Sequence, residues 1–64
     1  MQSEWPELLG RSGEEAKTII LGEKPHLNVE IIPQNEPVTK DLRFDRVRIF
    51  VDENGNVVAV PRTA

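Results

Sequence analysis

Two short apolar alternations, separated by a dozen residues that do not alternate at all, constrain this chain more than any other feature. Residues 27–32 set Leu27, Val29 and Ile31 on one side and Asn28, Glu30 and Ile32 on the other, which is the period of a half-buried strand. Residues 46–51 repeat the pattern, with Val47, Ile49 and Val51 opposing Arg46, Arg48 and Phe50. Pro33 stops the first run, and residues 33–45 follow neither a period of 2 nor one of 3.6. A connection of that length inside a compact domain is uncommon and is usually functional or disordered. This one carries a single lysine, Lys40, behind the stiff run Pro37-Val38-Thr39, and it leads straight into two arginines at strand spacing.

The first half supplies a partner for the strands. Residues 1–11 read as an irregular lead-in whose sizeable apolar groups are Trp5, Leu8 and Leu9. Ser12-Gly13-Glu14-Glu15 fits a capping box, with Ser12 as the cap and Glu15 reaching back. A helix is predicted from about Gly13 to Lys24, with an apolar stripe of Ala16, Ile19 and Ile20 and a stop at Lys24-Pro25. After the second strand, Asp52-Glu53-Asn54-Gly55-Asn56 carries a turn signal, and Val57–Val60 reads as a final short strand closed by Pro61. The expected fold class is α+β: one helix on a small mixed β-sheet, with a long exposed loop (about 34–45) between two strands and no disulfides. Residues 1–64 are expected to form a single domain.

A chain of 64 residues buries only about 60% of its unfolded surface. That leaves one thin core and no deep substrate cavity, so catalysis is disfavoured and the chain is not expected to be an enzyme. It holds no cysteine, which excludes a disulfide staple and thiolate chemistry alike. A net charge of −3 argues against a nucleic-acid partner, whose affinity rests on neutralised phosphates. The charge is uneven, however. Residues 1–39 hold three basic and seven acidic side chains, whereas residues 40–48 hold four basic and two acidic. No segment is long and apolar enough to span a bilayer, so no membrane partner is expected. The opening Met-Gln-Ser-Glu-Trp-Pro lacks the regions of a signal peptide, and the compartment is left open.

Strand geometry gives the loop its chemistry. If Val47, Ile49 and Val51 face the helix stripe, Arg46, Arg48 and Phe50 point to the opposite face. There Ile32 and Val38 can pack on Phe50 as a second small cluster. Arg46 and Arg48 can hydrogen-bond upward into the loop, with the side chains of Thr39 and Asp41 as natural acceptors for the guanidinium forks. Lys40 is then the one residue left pointing outward, between two tethered neighbours.

Trp5-Pro6-Glu7-Leu8, the capped helix, Pro37-Val38-Thr39-Lys40-Asp41-Leu42-Arg43 and Arg46-Val47-Arg48-Ile49-Phe50-Val51 together resemble the potato inhibitor I family. The likeness runs almost end to end, through Val60-Pro61. It implies a disulfide-free serine-protease inhibitor of substrate-like mechanism, with Lys40–Asp41 as the scissile bond. It also implies a protease-binding loop formed by Pro37, Val38, Thr39, Lys40, Asp41, Leu42 and Arg43, supported by Arg46, Arg48 and Phe50. Lysine before the scissile bond suits a protease with an acid at the base of its specificity pocket, as in trypsin, and subtilisin-like enzymes are further targets. The expected partner is thus a serine endopeptidase and the expected state a monomer.

Plainer readings compete at each residue. Lys40 alone is an ordinary solvated lysine. Arg46 and Arg48 can be surface charges paired with Asp45 and Glu30, which contribute little. Trp5 reads as a packed residue rather than a binding aromatic. His26, the only histidine, has no nucleophile or ligand set around it, and no metal or cofactor is expected. Asp41 and Asp45, beside arginines, stay ionised and are unsuited to acid–base work. The glycines are too scattered for a phosphate loop. Two other functional readings stand beside inhibition. One is a non-inhibitory or weakly inhibitory scaffold of the same fold, consensus-like or engineered, and the other is a module that binds partners through an exposed strand edge.

Overall fold

The computed structural model describes residues 3–63. Its elements in chain order are a 3-10 turn at Pro6–Leu8, helix α1 at Gly13–Glu23, strand β1 at Asn28–Pro33 and strand β2 at Arg46–Val51. The helix begins as the capping signal requires, since Ser12 Oγ accepts the Glu15 amide at 3.1 Å. The reciprocal half of the box does not form. The Glu15 carboxylate instead accepts from Arg11 Nη1 at 3.0 Å, because a charged donor four residues away outcompetes a neutral backbone amide. At the other end the Lys24 amide donates to the Ile20 carbonyl at 2.8 Å. Pro25 then has no N–H with which to continue.

β1 and β2 pair in parallel, in the register Asn28↔Arg46 through Pro33↔Val51. Val47, Ile49 and Val51 are buried with Val29 and Leu27 against Ala16 and Ile20 of α1, and Trp5, Leu8 and Val57 complete the core. The strand faces thus divide as the alternation requires. Trp5 is a core residue, as expected. Its indole N–H donates to Glu23 Oε1 at 3.2 Å, which ties the lead-in to the last turn of the helix.

One expected element is absent. Val57–Val60 is not a strand; the segment makes only isolated antiparallel bridges, Val51↔Val57 and, further on, Val47↔Thr63. Val58 still donates its amide to the Phe50 carbonyl at 2.9 Å, but Pro61 cannot donate and the ladder breaks before it. The same segment pairs on its other side with the lead-in, through Glu4↔Arg62 and Ser12↔Asn56. The sheet itself is the two-stranded parallel pair, and the antiparallel contacts are isolated bridges that flank it. Thr63 is buried, bridged to Val47 between the two arginines, and its Oγ1 accepts the Ser3 amide at 2.9 Å. Ala64 lies outside the described residues.

The close approach of helix and sheet rests on a missing side chain. A Cβ on Gly13 would sit 2.9 Å from Val51 Cγ1 and 3.2 Å from Ile31 Cγ2, whereas one on Gly22 would meet nothing within 4 Å. Gly13→Ala is therefore expected to lower stability by about 1–3 kcal/mol through overpacking. Gly22→Ala is expected to raise it by about 0.5–1 kcal/mol through helix propensity. Chemical denaturation of both variants tests the pair, and equal midpoints would show that the α1–sheet contact is not limiting.

Candidate functional site

Parallel pairing obliges the chain to return the full length of a strand before β2 can start. Six residues of strand run about 20 Å, whereas residues 34–45 can reach about 40 Å when extended. The surplus lets the loop bow outward. Its roots are tied close to the sheet: the Gln34 amide donates to the Val51 carbonyl and the Asn28 amide to the Asp45 carbonyl, each at 2.9 Å. Residues 37–43 between them have no regular structure and are exposed.

The two arginines of β2 rise into that arch. Arg48 Nη1 donates to the Thr39 carbonyl and Nη2 to Thr39 Oγ1, both at 2.7 Å. Arg46 Nη1 donates to Asp41 Oδ2 at 3.1 Å and Nη2 to the Asp41 carbonyl at 2.9 Å. The Thr39 hydroxyl in turn donates to Asp41 Oδ1. One continuous path therefore runs from Arg48 through Thr39 and Asp41 to Arg46, and it encloses Lys40 without touching its side chain. The side-chain acceptors are those expected from the sequence. The two backbone carbonyls are additional, and no residue pattern could have shown them.

The charges inside this network are unequally placed. The Arg46 side chain is 6% exposed and that of Arg48 14%, whereas Asp41 is 47% exposed. Among the described residues, Arg46 Nε is buried without a partner, so the guanidinium depends on Asp41 for its compensation. The surface pairings that compete in the sequence do not form. Glu30 lies across the ladder from Arg48, yet the Arg48 guanidinium goes to Thr39. Asp45 is held by Arg43, at 3.2 Å to Nε and 2.9 Å to Nη2. That ion pair had no signal in the sequence beyond two charges at i, i+2.

Phe50 is half-buried on the loop side of β2, and Ile32 opposite it in the register is half-buried too. Val38 is 38% exposed. Lys40, Leu42 and Arg43 are exposed, and so is Phe44, which the sequence did not single out. His26 is exposed, and among the described residues no group of acidic and histidine side chains is arranged to hold a metal ion.

The network leaves a titration signature. The Thr39 hydroxyl, then Arg46, hold the Asp41 carboxyl down to about 2, and Arg43 lowers that of Asp45. A depressed carboxyl favours the folded state above its unfolded value near 3.9 and ceases to do so as pH falls through the folded value. The Asp41 brace is therefore expected to loosen between about pH 4 and pH 2. In a chemical-shift titration Asp41 should titrate near the bottom of that window, and Arg46→Ala should move it upward. An Asp41 that titrates like a free carboxyl would show the brace to be absent in solution.

Comparison with known proteins agrees with this architecture. The chain is 46% identical over 61 residues to an inhibitor of trypsin and Hageman factor from Cucurbita maxima, covering 95% of this chain and 90% of that protein. It is 47% identical over 62 residues to a subtilisin-chymotrypsin inhibitor from Hordeum vulgare, covering 97% and 66%. The crystal structure of bitter gourd trypsin inhibitor superposes with a TM-score of 0.93 at 42% identity, over 97% of this chain and 91% of the other. The model of the potato inhibitor I family matches residues 1–64. With that match end to end and a disulfide-free helix-on-sheet fold, this chain belongs to the potato inhibitor I family.

Proposed function

We propose that the chain inhibits serine endopeptidases as a substrate that is bound, attacked and not released, with Lys40–Asp41 as the reactive bond. The observation that carries this reading is the double tether: Arg48 holds the residue before Lys40, and Arg46 holds the residue after it. The protease serine attacks the Lys40 carbonyl, whose oxygen enters the oxyanion hole. The Lys40–Asp41 C–N bond breaks, the acyl group passes to the serine oxygen, and the histidine of the protease protonates the departing amine. In an ordinary substrate that amine diffuses away. Here Asp41 is anchored through both its carboxylate and its carbonyl, so the amine stays beside the ester and re-forms the peptide bond. Intramolecular reactants held in this way act at effective concentrations of about 10⁵ M or more.

The tether also explains tight binding. Ordering a free peptide costs about 1–2 kcal/mol per residue, so six docked residues would forfeit roughly 6–12 kcal/mol. A loop ordered during folding avoids that loss at binding. Lysine at the reactive position favours trypsin-like pockets, in keeping with the trypsin inhibitor named among the relatives. Subtilisin-like enzymes form the second target class, as the name of the Amaranthus caudatus relative, a trypsin/subtilisin inhibitor, supports.

Titration of trypsin and of subtilisin with the protein, with cleavage followed by mass spectrometry, tests the reading. Stoichiometric inhibition with cleavage at Lys40–Asp41 over hours is expected; rapid cleavage without inhibition would overturn it. Lys40→Leu should weaken trypsin inhibition by at least about a hundredfold while favouring chymotrypsin-like enzymes, in line with removal of a buried charge pair. Arg48→Ala should speed cleavage about tenfold or more with little loss of global stability, since its guanidinium reaches only the loop. Arg46→Ala also opens the buried side of the network, so it is expected to cost stability as well as loop rigidity.

A further inference from the structure

Of the large apolar side chains exposed among the described residues, Leu9, Val38, Leu42, Phe44 and Val58, three lie in the loop. Leu42 is 71% exposed and Phe44 47%. They follow Lys40 at intervals of two, and the residues between them are engaged within the molecule. Asp41 is held by Arg46 and Thr39, and Arg43 by Asp45. The Arg43–Asp45 pair brackets Phe44, and the Asp45 carbonyl receives the Asn28 amide at 2.9 Å. Phe44 therefore stands one residue from a point where the loop is bonded to β1, with the Arg43–Asp45 pair closing over its backbone. A chain with only two phenylalanines and one tryptophan leaves one of those aromatics half in water, on the braced side of the arch that leads away from the reactive bond.

We infer that Phe44, reached through Leu42, is a specificity-determining residue, seated against an apolar surface of the protease on the leaving-group side of its active site. This rests on the reading of Lys40–Asp41 as the reactive bond. Leu42 continues the contact surface without a break from Lys40, which identifies the occupant as the enzyme already bound to the loop rather than a second partner. Proteases that share a preference for lysine would then be separated by what they offer four residues beyond it. Aromatic side chains on rigid backbone suit such a role, because little conformational freedom is lost when they are covered.

The test compares Phe44→Ser with the unmodified protein against trypsin and against subtilisin, with rates of association, dissociation and Lys40–Asp41 cleavage measured for each pair. Leu9→Ser, an exposed leucine on the lead-in, serves as the control. Phe44→Ser is expected to change the ratio of the two inhibition constants by about tenfold, in line with uncovering part of an aromatic side chain. The change should lie in dissociation, with association, cleavage rate and thermal midpoint unmoved. An unchanged ratio would overturn the inference. So would a loss shared equally by both enzymes and accompanied by faster cleavage, since that pattern belongs to a residue that merely props the loop. If the unmodified protein inhibited neither enzyme, the reactive-bond reading would fall and this inference with it.

Discussion

Everything distinctive about this molecule depends on two adjacent strands that run parallel without a helix between them. Antiparallel strands could be joined by a two-residue turn, but a parallel pair must send the chain back along its own length. Here that return is an irregular arch, residues 34–45, whose backbone is bonded to the sheet at its roots, through Val51 and Asn28. An arch without internal ladder bonds would ordinarily be mobile and readily cut. It is instead held from beneath by β2, whose alternation sends one face into the core and the other up into the loop.

That division of labour within a single strand explains the placement of charge. Val47 and Ile49 are wholly buried on the helix side, while Arg46 and Arg48 occupy the other face and direct four donors at two loop residues. A buried guanidinium is costly unless compensated, so the network is asymmetric. Without Arg46, Asp41 would be left in contact with water, but without Asp41, Arg46 would keep an uncompensated charge beneath the loop. Small domains commonly rely on disulfides for this kind of constraint. In a chain without cysteine the arginine pair supplies a reversible, geometrically specific substitute. Because the Thr39 hydroxyl and Arg46 hold the Asp41 carboxyl below the usual carboxylate range, the substitute keeps its charge into mildly acid conditions as well as at neutral pH.

Much of this was legible in residue order because the relevant signals are local or periodic. The Ser12 cap, the Ala16–Ile20 stripe and the two alternating runs appear where the sequence places them, and Asp52 closes the Asn-Gly turn by accepting the Asn54 and Asn56 amides. The direction of Arg46 and Arg48 followed from strand parity alone. Three features did not follow. Val57–Val60 has strand composition but finds only single bridges, because its ladder is set by neighbours and interrupted by Pro61. Glu15 met a stronger donor in Arg11 than the amide its motif provides. Phe44 drew no notice because exposure is a property of the folded surface, and the sequence marks it as any aromatic beside a strand.

The sequence by itself determined the α+β class, the faces of the strands, the length of the exposed connection and, through a whole-chain likeness, the family. Those rest on periodicity, on the fixed φ of proline and on the directional preferences of side chains, all of which act over a few residues. The tertiary structure alone decided that the strands are parallel and that the arginines bind loop carbonyls as well as side chains. It also decided that Asp45 belongs to Arg43 rather than to Arg46. Each is a choice among partners of equal chemical merit, and such choices are settled by which groups the packed core brings within about 3 Å of one another.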